Sequence, residues 1–307
     1  MVSLSLGNFT GFGEAPAIVY YDVTVEKMIE DLESKRAMVE KFALTEPARY
    51  WHYLHHLFPQ NPFLVSALDM ACWDLYGKMK GQPLYTLWNT NWENTPVTDY
   101  TIGIDTIPKM LEKMKAKPWP VYKIKLGTPE DIEIMEALTT ATKAVFRVDA
   151  NAGWTTEEAL TKIPLLAKMG VEFIEQPLAK DNWEGMKILY EKSELPLYAD
   201  ESCVMESDVQ KCAGYFHGIN IKLTKCSGPT PALRMIETAR GLGLKVMMGS
   251  MNESTIGSAA IAHFLPQLDH VDMDGPLLLS EDIASGITFD NGLVTLTNKP
   301  GLGITLL

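Results

Sequence analysis

The chain has 307 residues, 46% of them apolar and 21% charged, a composition that suits a large globular unit and excludes a disordered chain. Its 27 Lys and Arg against 39 Asp and Glu leave a net charge of −12, so a phosphate backbone is repelled and nucleic acid is not an expected partner. No apolar run reaches the roughly 20 residues that cross a bilayer. The opening MVSLSLGNFTGFGE lacks a basic n-region and a long apolar h-region, so neither a membrane segment nor a signal peptide is expected. Cys72, Cys203, Cys212 and Cys226 form no CxxC pair, which predicts reduced thiols and a cytoplasmic location.

In chain order, Val2 to Gly13 reads as a short strand that leads into helices. Thr24 to Ala43 alternates charged and apolar positions at helical spacing, with Thr24 as N-cap and Glu26 in the first turn. Glu46 to Phe58 carries an aromatic stripe (Tyr50, Trp51, Tyr53, Phe58), and Phe63 to Lys80 is a more apolar helix that stops before Gly81. Residues 1–95 therefore read as a small, mostly helical domain.

From residue 96 the pattern changes. β-Branched or apolar runs occur at Asp99–Ile104, Val121–Leu126, Val145–Ala150 and Val171–Gln176, then at Leu197–Glu201, Gly218–Leu223, Lys245–Ser250 and His270–Asp274. Amphipathic stretches such as Ile107–Lys117, Thr156–Met169 and Pro231–Leu242 lie between them. Strands alternating with helices predict a parallel sheet, and eight units in about 180 residues predict a closed (β/α)8-type barrel. An open doubly wound sheet is the alternative, but no GxGxxG follows the first strand.

In such a barrel, polar residues at the C-terminal ends of the strands converge on one mouth. Those ends read Lys123-Ile124-Lys125, Asp149-Ala150-Asn151, Glu175, Asp200-Glu201, Lys222, Ser250 and Asp272-Met273-Asp274. From Lys125 to Asp274 a polar or ionisable residue recurs every 22 to 28 positions, at one phase of the βα period. Asp149, Glu175 and Asp200 make an all-oxygen cluster on neighbouring strands, which favours Mg²⁺ over Zn²⁺. The competing reading is that they are buried counter-ions of Lys or Arg.

Lys125 and Lys222 fall four strands apart in an eight-strand ring, on opposite sides of the mouth, and Lys123 shares the face of Lys125. Lysines whose pKa is lowered by a neighbouring ammonium and a metal dication can act as bases. Such a pair can take a proton from one face of a carbon and return it to the other while the cation stabilises an enolate. Asp272 and Asp274 also share a face, across the ring from Glu175. A metal end that grips an anion and an Asp pair that attracts a cation suit a zwitterion the length of a dipeptide. The loop from Gly249 to Ser254 reads either as a substrate contact, through Ser250, or as a helix cap. The six histidines receive no role, and Met247-Met248 reads as barrel filling.

Together the segments YKIKLG, RVDANAGW, EFIEQPL, ADES, NIKLTKCSG and DMDGP resemble the enolase superfamily in its muconate-lactonising subgroup. A Lys on the sixth strand, in place of a His on the seventh, points to that subgroup, and HVDMDGP resembles the aspartate pair with which dipeptide epimerases hold an α-ammonium group. The resemblance covers nearly the whole chain and implies an α/β fold, a modified TIM barrel of (β/α)7β type. It further implies a small α+β capping domain over residues 1–95, a barrel over 96–280 and a segment 281–307 packing back toward the cap. By the same resemblance Asp149, Glu175 and Asp200 are the Mg²⁺ ligands, Lys125 and Lys222 the acid/base pair and Lys123 an electrostatic helper. Asp272 and Asp274 are the ammonium clamp. Two departures stand out. Ser227 occupies a position where the family often has Gly. The family also carries a few dozen further N-terminal residues, with a mobile loop that reads the substrate side chain, so the cap is expected to be N-terminally shortened.

The expected activity is Mg²⁺-dependent dipeptide epimerisation, inverting the α-carbon of the C-terminal residue by 1,1-proton transfer, with Ala-Glu and cell-wall peptide handling as the implied substrate and context. Two alternatives remain. An o-succinylbenzoate synthase or muconate-type cycloisomerase would leave Asp272 and Asp274 nothing to neutralise. A non-catalytic binding protein on the same barrel would have no use for the lysine pair. The expected partner is a small dipeptide, with a homo-oligomer left open.

Overall fold

In the computed structural model, which describes residues 1–307, the N-terminal segment is a hairpin and not one strand. β1 (Val2–Leu6) pairs antiparallel with β2 (Phe9–Gly13), because Gly7 supplies the left-handed φ of 59° that a two-residue turn needs. Three helices follow: α1 (Val25–Lys41), α2 (Pro47–Leu57) and α3 (Pro62–Lys80). Thr24 caps α1, its hydroxyl accepting from Lys27 N at 3.2 Å, and Gly81 closes α3 in the left-handed conformation. α3 is buried almost throughout because it faces two ways: Phe63, Leu64 and Leu68 pack with Tyr50, Leu54 and Met28 of the cap, while Met70 joins the barrel core. A single turn, α4 (Leu84–Leu87), leads on to the barrel.

The barrel alternates strand and helix: β3 (Tyr100–Ile102), α5 (Ile107–Ala116), β4 (Val121–Lys125), α6 (Asp131–Ala141), β5 (Val145–Asp149), α7 (Thr156–Lys168), β6 (Val171–Glu175) and α8 (Trp183–Lys192). It continues through β7 (Leu197–Ala199), α9 (Glu206–Cys212), β8 (Gly218–Ile221), the one-turn α10 (Leu223–Cys226), α11 (Pro229–Gly241), β9 (Lys245–Gly249), α12 (Thr255–Ala262) and β10 (His270–Asp272). β3 to β10 are neighbours in chain order and all parallel, and the ring closes where Thr98, just before β3, bridges Val271 of β10. All eight expected runs are strands. Each stops a residue or two early; after β5 and β6 this is because Asn151, Ala152 and Gln176 leave the extended region for φ of 44°, 60° and 33°.

After β10 come α13 (Gly275–Leu278), β11 (Ala284–Ser285), the hairpin β12 (Ile287–Asp290) with β13 (Leu293–Leu296), and β14 (Thr305–Leu306), which pairs with β11. Gly301 N bonds to Gln82 O at 3.0 Å and Leu302 N to Asp74 Oδ1 at 2.8 Å, tying the C-terminal stretch to α3 and the turn after it. Met247 fills the barrel beside Phe173 and Tyr198, whereas Met248, expected there too, points the other way on β9 into the core between sheet and helices; all four cysteines are free and buried. No helix is long and apolar enough to cross a membrane.

Candidate active site

Strand register sets the first contacts. Lys125 lies beside Asp149 and Asp149 beside Glu175 in the parallel ladders, each at the last position of its strand, and Asp200 follows β7 directly. One carboxylate oxygen from each of Asp149, Glu175 and Asp200 lies within 4.8 Å of the others, and all three side chains are buried. Three buried carboxylates this close need cations, and four lysines supply them: Lys225 at Asp200 Oδ1, and the three that line the cavity. Lys123 Nζ is 3.2 Å from Asp149 Oδ2, 2.8 Å from Glu175 Oε2 and 2.8 Å from Asp272 Oδ2. Lys125 donates to Asp149 Oδ2 at 2.6 Å and Lys222 to Asp200 Oδ2 at 2.8 Å. The counter-ion pairs weighed against a metal site are thus present, but they do not saturate it. Glu175 Oε2, although near Lys123, accepts no aligned hydrogen bond.

Electrostatics sort these groups. Burial raises the Asp149 carboxyl, but Lys123 and Lys125 outweigh it and hold it at about 2. Burial acts on Asp200 in the same direction, and Lys222 with Lys225 depresses it well below the usual carboxylate range. Glu175 is the exception: burial and the neighbouring Asp149 push it up to about 7 despite Lys123. Glu175 is thus the under-compensated member of the cluster, with one oxygen within 4.8 Å of ligand oxygens of Asp149 and Asp200. An all-oxygen donor set with one under-compensated carboxyl fits a hard divalent cation.

Lys222 departs from the reading of a base with lowered pKa. Burial disfavours its ammonium, yet Asp200 outweighs burial and raises the group above its ordinary value. A divalent cation on the same carboxylate would offset that hold.

Across the ring, Asp272 ends β10 and Asp274 precedes α13. Asp272 is held below its usual range by Lys123 against the effect of burial, and its Oδ1 is buried with no partner. Asp274 Oδ2 accepts only from Thr101 N, at 2.7 Å, and burial together with Asp272 pushes its carboxyl up to about 7. A cavity of about 390 Å³ joins the two halves, lined by Lys123, Lys125, Asp200, Lys222, Asp272 and Asp274. Ser250 lines it too, its N–H bonded to Asp272 O at 2.7 Å, and Ser254 in the same loop caps α12. The helix-cap reading of the Gly249–Ser254 loop thus holds at Ser254, while Ser250 borders the cavity.

Other residues at the mouth went unassigned in the sequence. Asn220 Nδ2 donates to Glu175 Oε1 at 2.7 Å from β8, where Gly249 leaves room: a Cβ there would meet the Asn220 amide at 2.7 Å. Asn220 shares a face with Lys222 two residues on, so strand alternation was a usable signal. Gln176 Oε1 accepts from Asp200 N and Ser202 N at 3.0 and 3.1 Å, fixing the turn after β7. Lys225 is bonded to the same turn. Tyr20 and Tyr21, from a short 3₁₀ turn of the cap, and Glu201 line the cavity as well. Ser227 takes φ of 72°, which explains a preference for Gly at its position, and its carbonyl accepts from Trp51 Nε1 of the cap at 2.9 Å.

The sequence model of the family described as Enolase C-terminal domain-like matches residues 107–307. An L-Ala-D/L-amino acid epimerase of Flavobacterium johnsoniae is 53% identical over 307 residues, 100% of this chain and 91% of the relative. An L-Ala-D/L-Glu epimerase of Bacteroides thetaiotaomicron is 38% identical over 309 residues, 99% of this chain and 80% of the relative. A crystal structure of a dipeptide epimerase from Methylococcus capsulatus complexed with Mg ion superposes with a TM-score of 0.91 at 28% identity, covering 99% of this chain and 93% of that one. Strand-end chemistry, barrel topology and these likenesses agree: the chain belongs to the enolase C-terminal domain-like family, within the enolase superfamily.

Proposed function

We propose that this chain is a Mg²⁺-dependent dipeptide epimerase that inverts the α-carbon of the C-terminal residue. Asp149, Glu175 and Asp200 would hold the ion, which supplies a Lewis acid for the substrate carboxylate. Lys125 and Lys222 stand on strands four apart in the ring and line one cavity, so an α-carbon between them meets an amine on each face. One takes the α-proton and the other delivers a proton to the opposite face. Lys123 keeps the carboxylates charged and in place. Asp272 and Asp274 receive the α-ammonium group of the N-terminal residue, and Ser250 borders the peptide.

The observation that carries this reading is the unpartnered Asp272 Oδ1, buried in the wall of the cavity beside an Asp274 carboxyl pushed up to about 7. A carboxylate oxygen left without a donor is costly unless a ligand cation completes it, and a cycloisomerase substrate brings none. The substrate class is L-Ala-Xaa and extends beyond L-Ala-L-Glu. The cationic side chains lining the cavity are Lys123, Lys125 and Lys222, each within 2.8 Å of a carboxylate, so a glutamate side chain finds no cation of its own.

The test is deuterium uptake at the α-carbon from D₂O, with Mg²⁺ and a panel of L-Ala dipeptides. Exchange with inversion is expected. Lys125→Ala and Lys222→Ala each abolish inversion and leave at most exchange from one epimer. A dicarboxylate turned over faster than any dipeptide, or inversion surviving in either variant, overturns the proposal.

A further inference from the structure

Lys225 is buried beside the metal half, yet it does not line the cavity. Its Nζ donates to Asp200 Oδ1 and, at 2.7 Å, to Asp200 O, and lies 3.5 Å from Cys203 O. All three protons of the ammonium therefore have acceptors inside the turn 200–203. Two of those acceptors belong to one residue, so the ammonium fastens the Asp200 carboxylate to its own backbone and fixes both of its side-chain torsions. Asp200 Oδ2 is the oxygen left over, and it turns to Lys222 at 2.8 Å on the cavity wall. Both lysines come from one short element: Lys222 precedes α10 as its N-cap and Lys225 lies three residues on, within the same turn. Gln176 secures the other side by accepting from Asp200 N and Ser202 N.

We propose that Lys225 is a positioning residue for the metal ligand Asp200: it occupies Oδ1, aims Oδ2 at the cation point, and leaves proton transfer to Lys222. This rests on the metal-dependent reading above and goes beyond it by dividing the two lysines on one carboxylate into a permanent strut and a mobile base. Charge and position then pull in opposite directions. Removing a nearby positive charge by itself tightens binding of a dication, whereas releasing the carboxylate weakens it.

The experiment is Mn²⁺ titration of substrate-free protein, followed by the electron paramagnetic resonance signal of the free ion, in the parent chain, Lys225→Met and Lys225→Arg. Thermal melts are recorded alongside. Replacing a group that orients a metal ligand costs about 10- to 100-fold in affinity, and a loss of that size is expected for Lys225→Met despite its more favourable charge. Lys225→Arg keeps the charge but cannot seat a planar fork within the turn, so it also binds Mn²⁺ more weakly. It decides the matter if Lys225→Met fails to fold. Affinity equal to or tighter than the parent in a folded variant overturns the assignment. A parent that shows no saturable Mn²⁺ binding overturns the metal-dependent reading itself, which keeps the two failures apart. A purely structural lysine would lower the melting temperature and leave Mn²⁺ affinity unchanged.

Discussion

At the barrel mouth Asp149 lies 2.6 Å from Lys125 and Asp200 2.8 Å from Lys222, and both carboxyls are held low. At the seam between α3 and α11, Asp69 is equally buried but meets only Thr230: its N–H at 2.7 Å and its hydroxyl at 2.8 Å. There burial dominates and the carboxyl is pushed up to about 8. Glu253, beside Glu14 in the loop after β9, is also raised to about 8 by burial and by that neighbour. The same side chain, removed from water to the same degree, is an anion in one region and an acid in the other. For these aspartates the difference is that ammonium groups outweigh burial at Asp149 and Asp200 and none is in contact with Asp69, whereas at Glu175 burial and the neighbouring Asp149 win despite Lys123. Within the mouth the two carboxyls left near 7, Glu175 and Asp274, face the points where cations would arrive. A structural carboxyl can be completed by neutral donors; a functional one is held short of completion.

The most severe way to break this contrast is Lys123→Met. It removes the one ammonium that touches Asp149, Glu175 and Asp272. Stranding a single buried charge costs about 3–5 kcal/mol, so urea unfolding without metal should show at least that loss at pH 8, together with loss of activity. The stranded carboxyls would take up protons on folding, so the loss should shrink as the pH falls toward 5. Mg²⁺ should restore part of the stability, because it compensates Asp149 and Glu175 but not Asp272. A Lys123→Met protein as stable as the parent at pH 8 would show that the mouth needs no ammonium.

A narrower cut separates the two halves of the mouth. Asp272→Asn removes charge from the ammonium end and leaves the metal carboxylates in place. Losing a buried charge partner typically costs 2–5 kcal/mol, so kcat/KM for an L-Ala dipeptide should fall by about 30-fold or more. Mg²⁺ affinity, measured by calorimetry, should change far less, because Asp272 reaches the metal carboxylates only through their shared partner Lys123. An N-acetylated dipeptide, which carries no ammonium, should be a poor substrate for the parent and lose little more in the variant. Equal losses for both substrates would mean that Asp272 acts through Lys123 and not on the ligand.

Much of this mouth could be read in the sequence because its charged groups sit at strand ends. Parallel strands with period-two side chains place Lys123 with Lys125 and align Asp149 with Glu175, and no tertiary detail is needed to find them. What stayed hidden depends on chain that leaves the regular path. Gln176 acts from a left-handed φ of 33°, and Lys225 acts from a one-turn helix that folds back on the residue it holds. Neither position is set by a repeat. Asp69 was a missed signal of another kind: a lone acid inside the apolar run FLVSALDMACW announces a buried polar contact, though not its partner 161 residues away. The N-terminal hairpin was misread as one strand although Gly7-Asn8 is a turn pair within it.

The mildest test sharpens the contrast from the seam side. With its carboxyl raised from 3.8 to about 8, folded Asp69 keeps a proton that the unfolded chain releases. The native state therefore binds more protons between pH 4 and pH 8, and this stability is complete below pH 4 and lost as the pH rises through about 8. One extra proton in the native state gives a slope of about 1.4 kcal/mol per pH unit. Asp69→Asn keeps an acceptor for Thr230 N and cannot ionise. Gly228, which precedes Thr230 by two residues with φ of 124°, packs against the Asp69 side chain where a Cβ would lie 2.5 Å from Oδ2, so the isosteric amide is the substitution that fits. The melting temperature of the variant should fall less steeply from pH 5 to 8 than that of the parent, with the two curves closest at the acid end. Subtracting the curves removes the contributions of Glu14 and Glu253, which are common to both proteins. Parallel curves would mean that Asp69 is ionised when folded, and that Thr230 alone can do for it what the lysines do for Asp149 and Asp200.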